Sequence, residues 1–281
     1  MNIKKVLNKL KDTETQTLDG NLIEQLIENK RKSSPILLKE YKKTVKLIKN
    51  NEYELYNNYN IILLFILTKL KVKKALDPFI ETFYLKYEVV DTLYGDYITE
   101  SFPNILATFF EDNPKLRRKI IFKIVNRNNF YDFIRSSTIN SLKISYIEND
   151  IDDKEIDRFI SKLINKDEII NSEILLTELV IFIAEFSMSK YYNKVLDYYN
   201  KDLVDSKFFD LDAFEKFYNE KKKISLSNFE KILRFREPKI NDICFWINLF
   251  DRYEEVKLTD KQKKIREKRK QIRKDIIHKL S

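Results

Sequence analysis

Residues 96–125 read DYITESFPNILATFFEDNPKLRRKIIFKIV. Ile98, Phe102, Ile105 and Phe109 recur at helical spacing and predict one apolar helix face; Leu116, Ile120, Ile121, Ile124 and Val125 predict a second. Between them stands Asn113-Pro114. An Asn side chain can accept from the free N–H groups of a first helical turn, and a proline at the first helical position gives up only an N–H that has no partner there. The stretch therefore predicts a long helix, a short polar turn and a shorter helix. Neither helix can bury its apolar face alone, so each requires neighbours.

Those neighbours are supplied by the same pattern on either side. Upstream, an apolar helix is expected over 60–70 and a short one opened by Asp77-Pro78. Downstream, pairs are expected over Tyr131 to Ile147 with Asp152 to Ile164, and over Ser172 to Phe186 with Lys190 to Tyr199. Successive long helices begin roughly 37 to 40 residues apart, near the period of HEAT and armadillo units. A pair that buries its faces only against the next pair stacks into a superhelix. The fold expected is all-α, an α-solenoid of HEAT-like helix pairs. N-terminal helices over 1–56 would cap it, repeats would occupy 57–203, and further helices over 204–281 would end in a basic terminal helix. Near the N-terminus, Ile3, Val6, Leu7 and Leu10 form one stripe and Leu37, Tyr41, Val45 and Ile48 another, with residues 12–20 as a polar linker.

Composition agrees. Only 2 Gly and 5 Pro occur in 281 residues, of which 43% are hydrophobic; sheets need turn residues far more often. The single cysteine, Cys244, excludes an internal disulfide framework and a thiolate metal cluster. The longest apolar run, Ile61 to Leu67, falls well short of the roughly 20 residues that span a bilayer. With no apolar leader at the N-terminus, a cytoplasmic protein is expected.

Two stretches carry a resemblance. Leu93-Tyr94-Gly95-Asp96-Tyr97-Ile98-Thr99-Glu100-Ser101-Phe102-Pro103-Asn104-Ile105-Leu106-Ala107 is similar to a segment typical of an uncharacterised bacterial family, a domain of unknown function that is all-helical and HEAT-like. Arg135-Ser136-Ser137-Thr138-Ile139-Asn140-Ser141-Leu142 resembles a HEAT helix, where an arginine precedes small residues that let the next repeat approach. Pro103, inside a helical pattern, resembles the prolines that bend the first helix of such repeats. Some members of the family end in a SEC-C zinc motif, whose cysteines this chain lacks. The resemblance implies a fold and no activity.

Catalytic candidates are few. One His (His278) and one Cys leave no His-based metal site, Ser-His-Asp triad or Cys-His dyad. Two isolated glycines, Gly20 and Gly95, make no phosphate loop. Asp150, Asp152 and Asp153 lack the glycine and terminal glutamate of a calcium loop, and Asp152 reads as a helix cap. No catalytic residue, metal or cofactor is expected. Asp96 and Glu100, four apart on one helix face, are a candidate carboxylate pair for binding; the competing reading makes Asp96 the cap of the helix that follows Gly95, and Glu100 an acid favoured by its dipole.

The formal charge of +9 resides almost wholly in residues 257–281. There Lys263, Lys264, Arg266, Arg269, Lys270 and Arg273 surround a stripe of Ile265, Ile272, Ile276 and Leu280. They read as the solvated face of a capping helix, as a phosphate-binding face, or as a face for an acidic partner or membrane surface. Lysines interleave with tyrosines over 190–201 in the manner of single-strand stacking platforms, although Tyr192, Val195, Leu196 and Tyr199 also make an ordinary core face. The expectation is a non-enzymatic scaffold for protein–protein interaction. The first alternative is a nucleic-acid-binding protein that uses residues 260–281. The second, by fold analogy alone, is a HEAT-like DNA glycosylase-type enzyme working through an acid and aromatic residues.

Overall fold

In the computed structural model, residues 2–11, 20–53 and 58–220 are described. Cys244, Trp246, His278, the helices expected over 228–235, 240–250 and 260–280, and all six candidate tail cations lie outside them. Among the described residues every regular element is a helix and none is a strand. The chain divides after Gly95 into two compact units.

The first unit holds α1 (Ile3–Lys11), α2 (Gly20–Glu28), α3 (Lys30–Lys49), α4 (Tyr59–Lys69), α5 (Leu76–Glu81) and α6 (Tyr87–Tyr94). Residues 59–68 of α4 are buried on every side, as a helix apolar all round must be. Helices α1, α2 and α3 pack on it. The stripes expected on α1 and α3 are the buried ones: Ile3, Val6, Leu7 and Leu10, then Leu37, Tyr41, Val45 and Ile48. Two expectations shift. Gly20 begins α2 rather than ending a linker, and Asp77-Pro78 lies inside the first turn of α5, whose cap position is Ala75. A short 3-10 turn over Lys73–Ala75 has already started the helical path, so no side-chain cap is required there. Asn60, buried on α4, donates through Nδ2 to Tyr94 Oη at 3.2 Å, and Tyr94 donates to Thr82 Oγ1 at 3.0 Å. Burial pushes the Tyr94 phenol up to about 12.

The second unit runs α7 (Tyr97–Glu100), α8 (Phe102–Phe110), α9 (Pro114–Val125), α10 (Asp132–Ile147), α11 (Asp153–Leu163), α12 (Asp167–Ile170), α13 (Glu173–Glu185), α14 (Tyr192–Asn200) and α15 (Leu211–Asn219). Four expected or new starts are capped by side chains that accept from the backbone three residues on: Asn113, Asp152, Ser172 and Asp210. The long helix expected after Gly95 is broken rather than bent. It stops at Glu100, and Pro103 sits in the first turn of a new helix. A continuous helix would set the proline ring against the carbonyl of Thr99 and leave that carbonyl without its donor; breaking at Ser101 avoids both. Helix α8 packs on α10, α10 on α13 and α13 on α15, each long helix against the next in chain order.

With so few glycines, other residues take the left-handed turns. Asn51, Lys71, Asn149, Ser187 and Asp202 have φ between 47° and 62° and follow α3, α4, α10, α13 and α14. Each stop carries the paired bonds of a Schellman motif, for example Val72 N to Leu67 O at 2.9 Å and Lys71 N to Thr68 O at 2.8 Å. Even Asn and Asp carry some strain there that glycine lacks, so Asp202→Gly, at an exposed stop, is expected to stabilise by about 0.3 kcal/mol, the strain relieved outweighing the added freedom of the unfolded chain. Urea denaturation measures it. Ser187→Gly should yield no such gain, because it removes the Ser187 Oγ bond to Tyr218 O (2.7 Å).

Gly95 is different, with φ +48° and ψ −130°. That ψ lies outside the left-handed helical region that Asn or Asp tolerates, and only glycine adopts it readily. A Cβ would meet nothing nearer than Asp91 O at 3.7 Å, so the penalty is conformational rather than a clash. Gly95→Ala is expected to cost about 1–3 kcal/mol, read as a lower midpoint in thermal or urea unfolding.

Candidate binding surface

The sequence-predicted carboxylates do come together. Asp96 holds the cap position of α7, yet its side chain makes no capping bond, which corrects the capping expectation. Glu100 ends the same single turn, half-buried, with Oε2 enclosed and without a hydrogen-bond partner among the described residues. Burial first, and the negative charge of Asp96 second, push the Glu100 carboxyl from 4.5 up to about 7. A carboxyl that is easier to protonate in the folded chain than in the unfolded one weakens folding as the pH rises. The loss begins near 4.5, develops up to about 7 and persists above it. Glu100→Gln should flatten that part of the stability–pH curve and stabilise at pH 8 on the order of 1 kcal/mol, after allowance for solvent screening.

The second unit's buried charges are committed to internal bonds. Arg117 of α9 donates through Nη2 to Glu155 Oε1 at 3.1 Å and to Asp150 O at 3.2 Å. Arg135 of α10 donates through Nε and Nη2 to Val125 O (3.0 and 2.8 Å), through Nη2 to Glu168 O (2.9 Å) and through Nη1 to Asp132 Oδ1 (2.6 Å). Lys143 reaches Glu178 Oε1 at 2.8 Å and Glu185 Oε2 at 2.9 Å. Burial alone would depress the Lys143 ammonium; the charges and hydrogen bonds of the two glutamates outweigh it and hold it above the usual lysine range. Asp152 caps α11 by accepting from Glu155 N at 2.7 Å, as expected. Among the described residues no cluster of His, Cys, Asp and Glu is placed to hold a metal ion.

The shorter helices α9, α11 and α14 are linked side by side. Phe122 stacks on Phe159 with centroids 5.3 Å apart, and Lys166 Nζ donates to Asn126 Oδ1 at 2.9 Å. Lys190 pairs with Asp157 at 2.7 Å, Tyr191 Oη donates to Asp157 O at 3.0 Å, and the Tyr198 hydroxyl donates to the carbonyl of Ile164. The hydrogen bonds of Lys190 first, and that of the Tyr191 hydroxyl to Asp157 Oδ1 second, hold the Asp157 carboxyl below the usual range. The tyrosines buried on this segment are Tyr191 and Tyr198, with Val195; Tyr192, Leu196 and Tyr199 are only partly covered, which corrects the expected core face.

What sequence reading missed is the outer side of α9 and α11. Lys115, Lys119 and Lys123 are exposed and Arg118 is half-exposed around a half-buried Phe122. Lys162 lies over the Phe122 ring at 5.4 Å and Lys166 at 6.0 Å, with Arg158 and Lys154 exposed one and two turns before Lys162. A signal existed: residues 113–127 contain Lys115, Arg117, Arg118, Lys119, Lys123 and Arg127 and no acid. It was masked by the larger surplus of the tail.

The family described as "Protein of unknown function (DUF1186)" matches residues 1–250. The chain belongs to this family. No curated protein and no solved structure matches it. The DUF1186 match covers every described helix, α9 and α11 included, and ends before the tail cations Lys263, Lys264, Arg266, Arg269, Lys270 and Arg273. Among the described residues of this DUF1186 chain no helix is long and apolar enough to cross a membrane.

Proposed function

We propose that the chain is a non-catalytic binding module, a stack of HEAT-like helix pairs whose second helices α9, α11 and α14 offer a surface to another macromolecule. One observation carries this reading. Polar side chains repeatedly bond to a group 33 to 40 positions away: Arg117 to Asp150 and Glu155, Arg135 to Glu168, Lys143 to Glu178, Lys166 to Asn126, Ser172 to Asp132, Lys190 to Asp157. A recurring separation of one repeat length is the bonding pattern of units that each rest on the next. Among the described residues, the exposed Lys115, Lys119, Lys154, Arg158 and Lys162 of α9 and α11 make no ion pair with the rest of the stack.

Sequence reading put a protein first among partners and nucleic acid second. Affinity purification of the full chain from its native host, with and without nuclease, tests the module itself. A partner that survives nuclease and re-forms a complex from purified components supports a protein scaffold. One that vanishes with nuclease supports the second class. A chain that retains neither, and instead turns over a nucleic-acid or small-molecule substrate, overturns the non-catalytic reading.

A further inference from the structure

We infer that the outer face of α9 and α11 is a docking surface for the sugar–phosphate backbone of a single nucleic-acid strand. The inference rests on the binding-module reading and names its partner.

Three observations converge on it. First, among the described residues, each acid of α11 is engaged by a side chain from another segment while its cations make no ion pair: Glu155 is held by the buried Arg117, and the more exposed Asp157 and Asp153 by Lys190 with Tyr191 and by the Tyr146 hydroxyl. Lys115, Arg118, Lys119, Lys154, Arg158 and Lys162 make no ion pair among the described residues. Second, this concentration is not the background of a basic body, because over the whole unit, residues 96–236, Lys and Arg do not outnumber acids even with the stripe included. A positive stripe on an otherwise acidic unit focuses its field on one side and selects a polyanion there.

Third, the cations are ordered in lines. On α9, Lys115, Arg118 and Lys119 lie three and four residues apart in line with Phe122; on α11, Lys154, Arg158 and Lys162 repeat every four. Four helical residues advance about 6 Å, so each line offers one cation per phosphate of an extended strand. Phe122 continues the α9 line, its ring stacked on Phe159 with lysine ammonium groups over it. Its ring is already occupied, so the surface holds backbone charge and carries no base-stacking platform. Recognition should be sequence-tolerant and strongly salt-dependent.

The test uses the full chain and fluorescein-labelled single strands of about 20 nucleotides, RNA and DNA, with polyglutamate of similar length as the competing polyanion. The wild-type chain should bind the strands in low salt, with affinity falling by about 0.7 log units per log unit of salt for each phosphate engaged. A variant carrying Lys115→Gln, Lys119→Gln, Arg158→Gln and Lys162→Gln should bind on the order of a hundredfold more weakly at about 0.1 M salt, with a slope shallower by about 3. All four residues are exposed, and an unchanged circular dichroism melt confirms the fold. A second variant, with Lys263, Lys264, Arg266 and Arg269 each changed to Gln, should bind as wild type. Equal binding by the first variant, loss of binding in the second, or polyglutamate bound as tightly as the strands each overturns the inference. A protein partner recovered after nuclease alongside failed strand binding would sink this inference and leave the module reading standing.

Discussion

Lys143→Met is expected to lose about 3–5 kcal/mol of stability at neutral pH, a large part of what holds a domain together. Lys143, Glu178 and Glu185 are all largely withdrawn from water, and the ammonium is what permits two carboxylates to sit on α13 facing α10. Methionine fills a similar volume but leaves both negative charges buried and uncompensated. Urea unfolding should show the midpoint falling sharply. The accompanying changes Glu178→Leu and Glu185→Leu should restore most of the loss, because a buried charge cluster replaced entirely by apolar groups is often neutral. A Lys143→Met protein as stable as wild type would mean that solvent reaches the cluster.

Arg135→Ala should cost about 3–4 kcal/mol for a different reason. The guanidinium joins three helices: it satisfies Val125 O at the carboxyl end of α9, where unpaired carbonyls and the helix dipole favour a cation. It also holds Asp132 Oδ1, while Asp132 Oδ2 accepts from Ser172 Oγ at 2.8 Å and Ser172 caps α13. Alanine abandons two carbonyls and frees Asp132 from its orientation. Arg135→Lys should recover only part of the loss, since one ammonium cannot reproduce the fork. A double-mutant cycle with Ser172→Ala should give a coupling above about 0.5 kcal/mol although the two side chains do not touch. Additive losses would show that Asp132 does not relay between them.

These two hubs mark the limit of what was legible beforehand. Arg135 was singled out through its HEAT-like context, but its partners were not; nothing in the sequence singled out Lys143 or Arg117. Lysine and arginine are nearly always exposed, and nothing within a turn of Lys143 announces that it is buried. Its carboxylates come from 35 and 42 positions further on. Asp96 and Glu100 were paired from sequence because a single helical turn brings them together, whereas the enclosure that lifts Glu100 comes from packing. The outer cations of α9 were readable as an acid-free run, but that they stand beside Lys162 and Lys166 was not.

Sequence alone determined that the described part of the chain is helical and where several helices start: Asn113 and Asp152 cap where they were expected to, and Ser172 caps the helix expected from it, because a side chain and an N–H three residues on meet through local geometry. It also determined, through stripes such as Ile3, Val6, Leu7 and Leu10, which face of a helix turns inward. Only tertiary structure decided which cations are internal struts and which remain on the surface. That choice depends on burial and on carboxylates or carbonyls about one repeat away, and no local pattern encodes a neighbour that only packing supplies.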